Sequence, residues 1–145
     1  MRVRLLIAAT LALGAGAAMA QVMNHDLPVQ KIMAAETNPG ALAFWAGGND
    51  PPEDESKAEA NARWDEAVKG AQLLQTSGEA LKAHSRGVAW NAFSDLMIAT
   101  GKEGEAAAKA RDAEKAFEVG GRVYDSCNGC HKTYIPPPPR QPPTP

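Results

Sequence analysis

Apolar residues recur three and four positions apart in four separated blocks of this chain, and no stretch sustains the alternation of a half-buried strand, so the pattern predicts an all-α domain. The first helix is expected over about residues 27–45, capped by Asp26, with Pro28 in its first turn, where a missing N–H costs nothing. Val29, Ile32 and Met33 form its inner face, and Ala41, Phe44 and Trp45 continue it. Between them Asn38-Pro39 predicts a kink, or a stop and restart, because Pro39 removes a helical hydrogen bond. Gly47-Gly48-Asn49-Asp50-Pro51-Pro52 reads as a loop. A second helix begins near residues 54–56 and ends near Gly78, with Ala60, Trp64, Ala67, Val68, Ala71 and Leu74 as its stripe.

A looser connection over residues 77–87 leads into a third helix over about 88–111, whose stripe is Trp90, Phe93, Leu96, Met97 and Thr100. Gly101 and Gly104 are expected to weaken its middle. A turn near Arg111-Asp112 separates it from a fourth helix over about 112–134. That helix carries the stripe Phe117, Gly120, Gly121, Tyr124, Cys127, Cys130, His131 and Tyr134, read as facing the core. Gly120 and Gly121 predict either a close approach of a neighbouring helix or cofactor, or a simple kink.

The two ends read differently. Arg2 and Arg4, the apolar run Leu5 to Leu13 and the small-x-small site Ala18-Met19-Ala20 predict a secretory signal peptide over residues 1–20, cleaved before Gln21. Its apolar run falls short of the ~20 residues of a spanning helix, so no membrane span is expected after cleavage. Seven prolines in residues 136–145 predict an extended or disordered tail beyond a domain over 21–135. Without Arg2 and Arg4 the chain keeps 13 basic against 17 acidic residues, a formal charge of −4. That balance offers no electrostatic footprint for nucleic acid or an anionic membrane.

Cys127-Asn128-Gly129-Cys130-His131 is the candidate chemistry, because C-x-x-C-H is the attachment signature of a covalent c-type haem. At about 100° per residue, helix positions i, i+3 and i+4 fall on one face, so both thiols and the imidazole point the same way. Cys127 and Cys130 can then form thioethers with one haem c, while His131 reaches the iron as proximal ligand. A redox dithiol would call for a βαβ setting, and a closed zinc site for four ligands, whereas these are the only two cysteines and His25 and His84 are far away in sequence. Attachment of c-type haem on the periplasmic side agrees with the signal peptide. Fourteen residues follow His131, none of them Met or His, so a sixth ligand must come from upstream, as when haem sits between the helices of a bundle.

The signal peptide, the four helices and C-x-x-C-H-x-x-Tyr on the last of them resemble the class II cytochromes c, the cytochrome c′ family. Ile32-Met33, Asn38-Pro39, Phe44-Trp45, Trp64, Trp90, Asp112-Ala113 and Gly120-Gly121-Arg122-Val123-Tyr124 are similar to features of a group of its proteobacterial members. Two departures stand out: Ile135 and a proline run follow Tyr134 where the family has a basic residue, and the aromatic before the first Cys is displaced to Phe117. The resemblance implies an antiparallel four-helix bundle with haem on the C-terminal helix, and a homodimer through the first two helices.

It also implies a distal residue from the first helix, apolar in five-coordinate gas binders and Met in six-coordinate electron carriers. Met33 sits at the matching place and is the candidate distal ligand; an open or water-bound position is the alternative, and Met23, His25, His84 and Met97 are the other candidates. The expected function is periplasmic one-electron transfer with redox partner proteins. The alternative is a five-coordinate haem protein binding a diatomic gas such as NO or CO. No distal His/Arg pair is placed to cleave a peroxide bond, so an enzyme is not expected.

Overall fold

The computed structural model describes residues 27–135. The expected signal peptide and proline-rich tail, together with Met23, His25 and the Asp26 cap, lie outside the described residues. Four helices make up the domain: α1 over residues 27–48, α2 Lys57–Ala83, α3 Val88–Ala110 and α4 Ala113–Tyr134. There is no strand among the described residues, and none of these helices is long and apolar enough to cross a membrane.

Asn38-Pro39 does not break α1. A π-helical segment, Met33–Thr37, leads directly into α-helix from Asn38 to Gly48, and the Asn38 N–H donates to the Met33 carbonyl five residues back. A proline inside an α-helix cannot donate to the carbonyl four residues before it and drives its ring against that carbonyl. Widening the preceding turn by one residue accommodates both effects, so the expected interruption takes the form of a wide turn.

Ser56 starts α2 with a capping box: its Oγ accepts from the Glu59 N–H at 3.3 Å, and the Glu59 carboxylate accepts from the Ser56 N–H at 2.8 Å. Arg63, two turns in, donates through Nε to Glu55 at 2.6 Å and through Nη1 to the Gly47 carbonyl at 2.8 Å. One side chain thus closes the end of α1 and fastens the following loop to α2. The helix runs past Gly78 to Ala83, so the connection expected over 77–87 shrinks to residues 84–87. Ser77 is buried with its hydroxyl 3.2 Å from the Leu74 carbonyl, and Leu81 is buried one turn later. Tertiary packing of that last turn overrides the weak propensity of Ser77-Gly78.

The turn at Arg111-Asp112 forms as expected. Arg111 adopts the left-handed conformation (φ 55°), the N–H groups of Arg111 and Asp112 close back on Ala108 and Ala107, and the Asp112 carboxylate caps α4 by accepting from the Lys115 N–H at 2.9 Å. α3 stays continuous through Gly101 and Gly104. A Cβ on Gly104 would stand 2.7 Å from Cζ of Phe44, so this glycine makes room for a fully buried ring instead of weakening the helix.

Cross-helix contacts give the register. Gly47 lies against Ala67, Gln72 bonds Glu105 while Lys82 bonds Asp95, Ser126 bonds Phe93 while Arg122 pairs with Glu103, and Trp45 bonds Gly120. Each helix is antiparallel to its sequence neighbours, and α1 packs against α4 to close the ring. Trp64, Ala67, Ala71 and Leu74 of α2 and Trp90, Met97 and Thr100 of α3 are buried as their spacing predicts, while Leu96 faces outward and Ser94 and Ile98 take inner places.

The stripe expected on α4 is rotated. Its buried residues are Ala116, Val119, Gly120, Val123 and Ser126, whereas Phe117 is 69 % and Tyr124 57 % exposed. Gly120 lies under the indole of Trp45, where a Cβ would meet Cδ1 at 2.9 Å, but Gly121 faces open space. Following the aromatic residues misplaced the face by about one position, because Ala, Gly and Val suit a helix this close to its neighbour better than large rings do.

Candidate functional site

The antiparallel register gathers the start of α1, the end of α2, the start of α3 and the end of α4 at one end of the bundle. A cavity of about 260 Å³ lies there, with Met33 and Thr37 of α1, Leu81 of α2, Trp90 and Phe93 of α3, and Cys127, Cys130 and His131 of α4 on its walls. A larger one of about 580 Å³, which includes Val29, Arg86 and Tyr134, adjoins it and shares Met33, Trp90, Cys130 and His131.

Two features fix the wall that carries the cysteines. The Ser126 hydroxyl donates to the Phe93 carbonyl at 3.0 Å, pinning α4 to α3 one residue before Cys127. Gly129 stands over the Phe93 ring, where a Cβ would come within 2.5 Å of Cε1, so the middle of C-N-G-C-H is glycine for reasons of packing. On the opposite side Trp90 donates through its indole N–H to the Leu81 carbonyl at 2.7 Å. Its ring meets Tyr134 edge-on at 5.0 Å between centroids, and the Arg86 guanidinium lies 4.6 Å from its centroid.

Cys127 and Cys130 are half-buried free thiols. Burial, helped by the neighbouring Cys130, pushes the Cys127 thiol up; burial also raises Cys130, against a partial opposing pull from Arg86. Burial thus favours the neutral thiol over the thiolate at both cysteines. No group of three or more His, Cys, Asp or Glu among the described residues is arranged to hold a metal ion directly.

The predicted residues come together, with one difference. Cys127, Cys130 and His131 border one cavity, as their spacing on α4 implies, and Met33 of α1 borders the same cavity. His131, however, is exposed overall, so the motif stands at the rim of the core and not inside it. Met33 is half-buried and borders both cavities. Met97 also reaches the first one, yet it is 4 % exposed and its sulfur lies 3.6 Å from the Ser77 hydroxyl, deep between α2 and α3. His84 caps the end of α2 and borders neither of these cavities.

These residues fit a covalently held haem. Two neutral thiols and an imidazole on one wall face an apolar, aromatic-sided chamber, which is the composition of a cofactor pocket with few polar groups. Nothing in the sequence pattern pointed to Thr37 or Ser126 as cavity residues, whereas Phe93 stood on the stripe expected for α3; Asn38-Pro39 and Gly129 were the available signals, the first for a distorted turn beside the cavity and the second for a close helix contact. No family model, curated protein or solved structure matches this chain, and the reading of its site rests on its residues.

Proposed function

We propose that this chain is a periplasmic c-type cytochrome, carrying one covalent haem and passing single electrons to and from partner proteins. The observation that carries this reading is the convergence of both thiols and the imidazole of C-N-G-C-H on one apolar cavity faced by a methionine from another helix. Cys127 and Cys130 would hold the group through thioethers, and His131 would supply an imidazole nitrogen to its iron. When bound, haem iron supplies the one-electron change.

The rest of the chain sets the surroundings. Leu81, Trp90, Phe93 and Met97 keep water from the apolar faces. Met33 would offer a neutral thioether from α1, which favours the reduced state relative to a second imidazole. The exposed position of His131 suits exchange of electrons at the protein surface. A second reading, a haem protein that binds a diatomic gas, draws support from Thr37, whose hydroxyl is buried beside the cavity.

Mass spectrometry of protein matured in a host that attaches c-type haem tests the proposal. One haem is expected on the mature chain, one thioether in Cys127→Ala or Cys130→Ala, and none in the double variant. A bare polypeptide mass for the parent protein, with no pyridine haemochrome band, overturns it.

A further inference from the structure

Thr37 has a buried side chain, 4 % exposed, on the wall of the cavity, and its Oγ1 has no hydrogen-bond partner in the protein. The other threonines of the described helices do not share this condition. Thr76, Thr100 and Thr133 each donate back to a carbonyl three or four residues earlier, the usual resting place of a helical hydroxyl. For Thr37 the carbonyl four residues back is that of Met33, where the π-helical turn, marked by the bond from the Asn38 N–H to that carbonyl, departs from the α-helical geometry around the other three threonines. The distortion that accommodates Pro39 thus goes together with a hydroxyl left without a main-chain acceptor.

Of the other donors on the cavity wall, Cys127, Cys130 and His131 are taken by the cofactor in the haem reading, and four more are bonded within the protein. Ser94 and Ser126 donate to the carbonyls of Trp90 and Phe93, and the indoles of Trp45 and Trp90 donate to those of Gly120 and Leu81. Asn38 and Tyr124 are exposed. A buried hydroxyl without a partner costs free energy unless something in the site accepts its hydrogen.

We propose that Thr37 is the hydrogen-bond donor for a small acceptor molecule, a water or a diatomic ligand, held on the distal side of the cavity next to Met33. Met33 and Thr37 open and close the same π-helical segment, about one turn apart, and border the same space. Distal hydrogen-bond donors help decide which small molecules a haem protein retains. Thr37 is therefore a specificity-determining residue, an inference that rests on the haem reading given above.

The test uses full-length, haem-loaded protein in a Met33→Ala background, which removes the candidate sixth ligand from beside Thr37. Carbon monoxide on the reduced protein is the probe, and the infrared C–O stretch is the readout. Adding Thr37→Val should move the band to higher wavenumber and speed CO release; Thr37→Ser should restore both. In Met33→Ala alone the band should also shift between H2O and D2O, a measurement that needs no substitution at Thr37. A band insensitive to D2O, or one unchanged by a folded Thr37→Val variant, overturns the role of Thr37 and leaves the haem reading intact. A protein without a haemochrome band before CO is added overturns both, and the two failures are thereby told apart.

Discussion

The hydroxyl of Ser126 lies 3.0 Å from the carbonyl oxygen of Phe93, and that single bond joins α4 to α3 immediately before the first cysteine. Ser126→Ala removes a buried hydrogen bond and should lower stability by about 1 kcal/mol. Gly129→Ala, three residues on, forces a methyl group against the Phe93 ring and should cost about 1–3 kcal/mol through overpacking. Urea unfolding of both variants, with haem content per chain, checks the pair. An unchanged midpoint and full haem content in Gly129→Ala would show that α4 is not held where it lies.

Replacing Met33 with Ala should open the sixth position. The expected result is a change from low-spin to high-spin ferric spectra, a lower midpoint potential, and CO binding that the parent protein resists. Potentiometry and visible spectra read all three. A parent protein that is already high-spin and takes up CO freely makes Met33 a packing residue and moves the gas-binding reading to first place.

Ser56 holds the start of α2 through a reciprocal pair of bonds with Glu59. Ser56→Ala should reduce stability by about 1 kcal/mol, the usual cost of losing an N-cap, while leaving the haem spectrum unaltered. Chemical unfolding followed by circular dichroism measures the first effect and absorbance the second.

Acid should reveal Glu105. Lys109 at 2.7 Å, then Gln75 at 2.8 Å and Gln72 at 2.9 Å, hold its carboxyl down from the ordinary 4.5 to about 2. In the unfolded chain it binds a proton near 4.5, so its contribution to stability is complete above that pH and is lost as the pH falls through about 2. Glu105→Gln should therefore be less stable than the parent above pH 4.5, and the difference should shrink steadily below it. Urea midpoints measured across that window for both proteins give the result; a difference independent of pH would remove Glu105 from the account.

Sequence pattern revealed the four helices and most of the core because Trp64, Leu74, Trp90 and Met97 sit at plain three- and four-residue spacings on helices with one polar side. It also placed Cys127, Cys130 and His131 together, since five consecutive residues of a helix leave little freedom. What it misjudged depends on contacts between distant segments. Gly78 reads as a stop signal, yet a Cβ there would meet Ile98 at 2.6 Å, so its place is inside a helix that packs tightly on α3. The aromatic residues Phe117 and Tyr124 attract attention on α4, but the narrow seam against Trp45 admits Gly120, and it is Val123 that is fully buried beside Tyr124 in sequence. Thr37 was invisible because its importance comes from a missing bond, which no local pattern records.

The ring of helices has one seam that is not between sequence neighbours, where α1 packs on α4. The hairpins formed by α1 with α2, α2 with α3 and α3 with α4 are joined by short connections and assemble from nearby segments, so the long loop closure that brings α1 to α4 carries most of the topological cost of folding. Met33 and the cysteine motif face one another across that seam. Local opening there is expected to need less free energy than opening the α2–α3 hairpin, so amide hydrogens of residues 27–37 should exchange sooner than those around Leu74 and Met97. The cavity would then be entered from the side of α1, along the one edge of the bundle that can part without unzipping a hairpin.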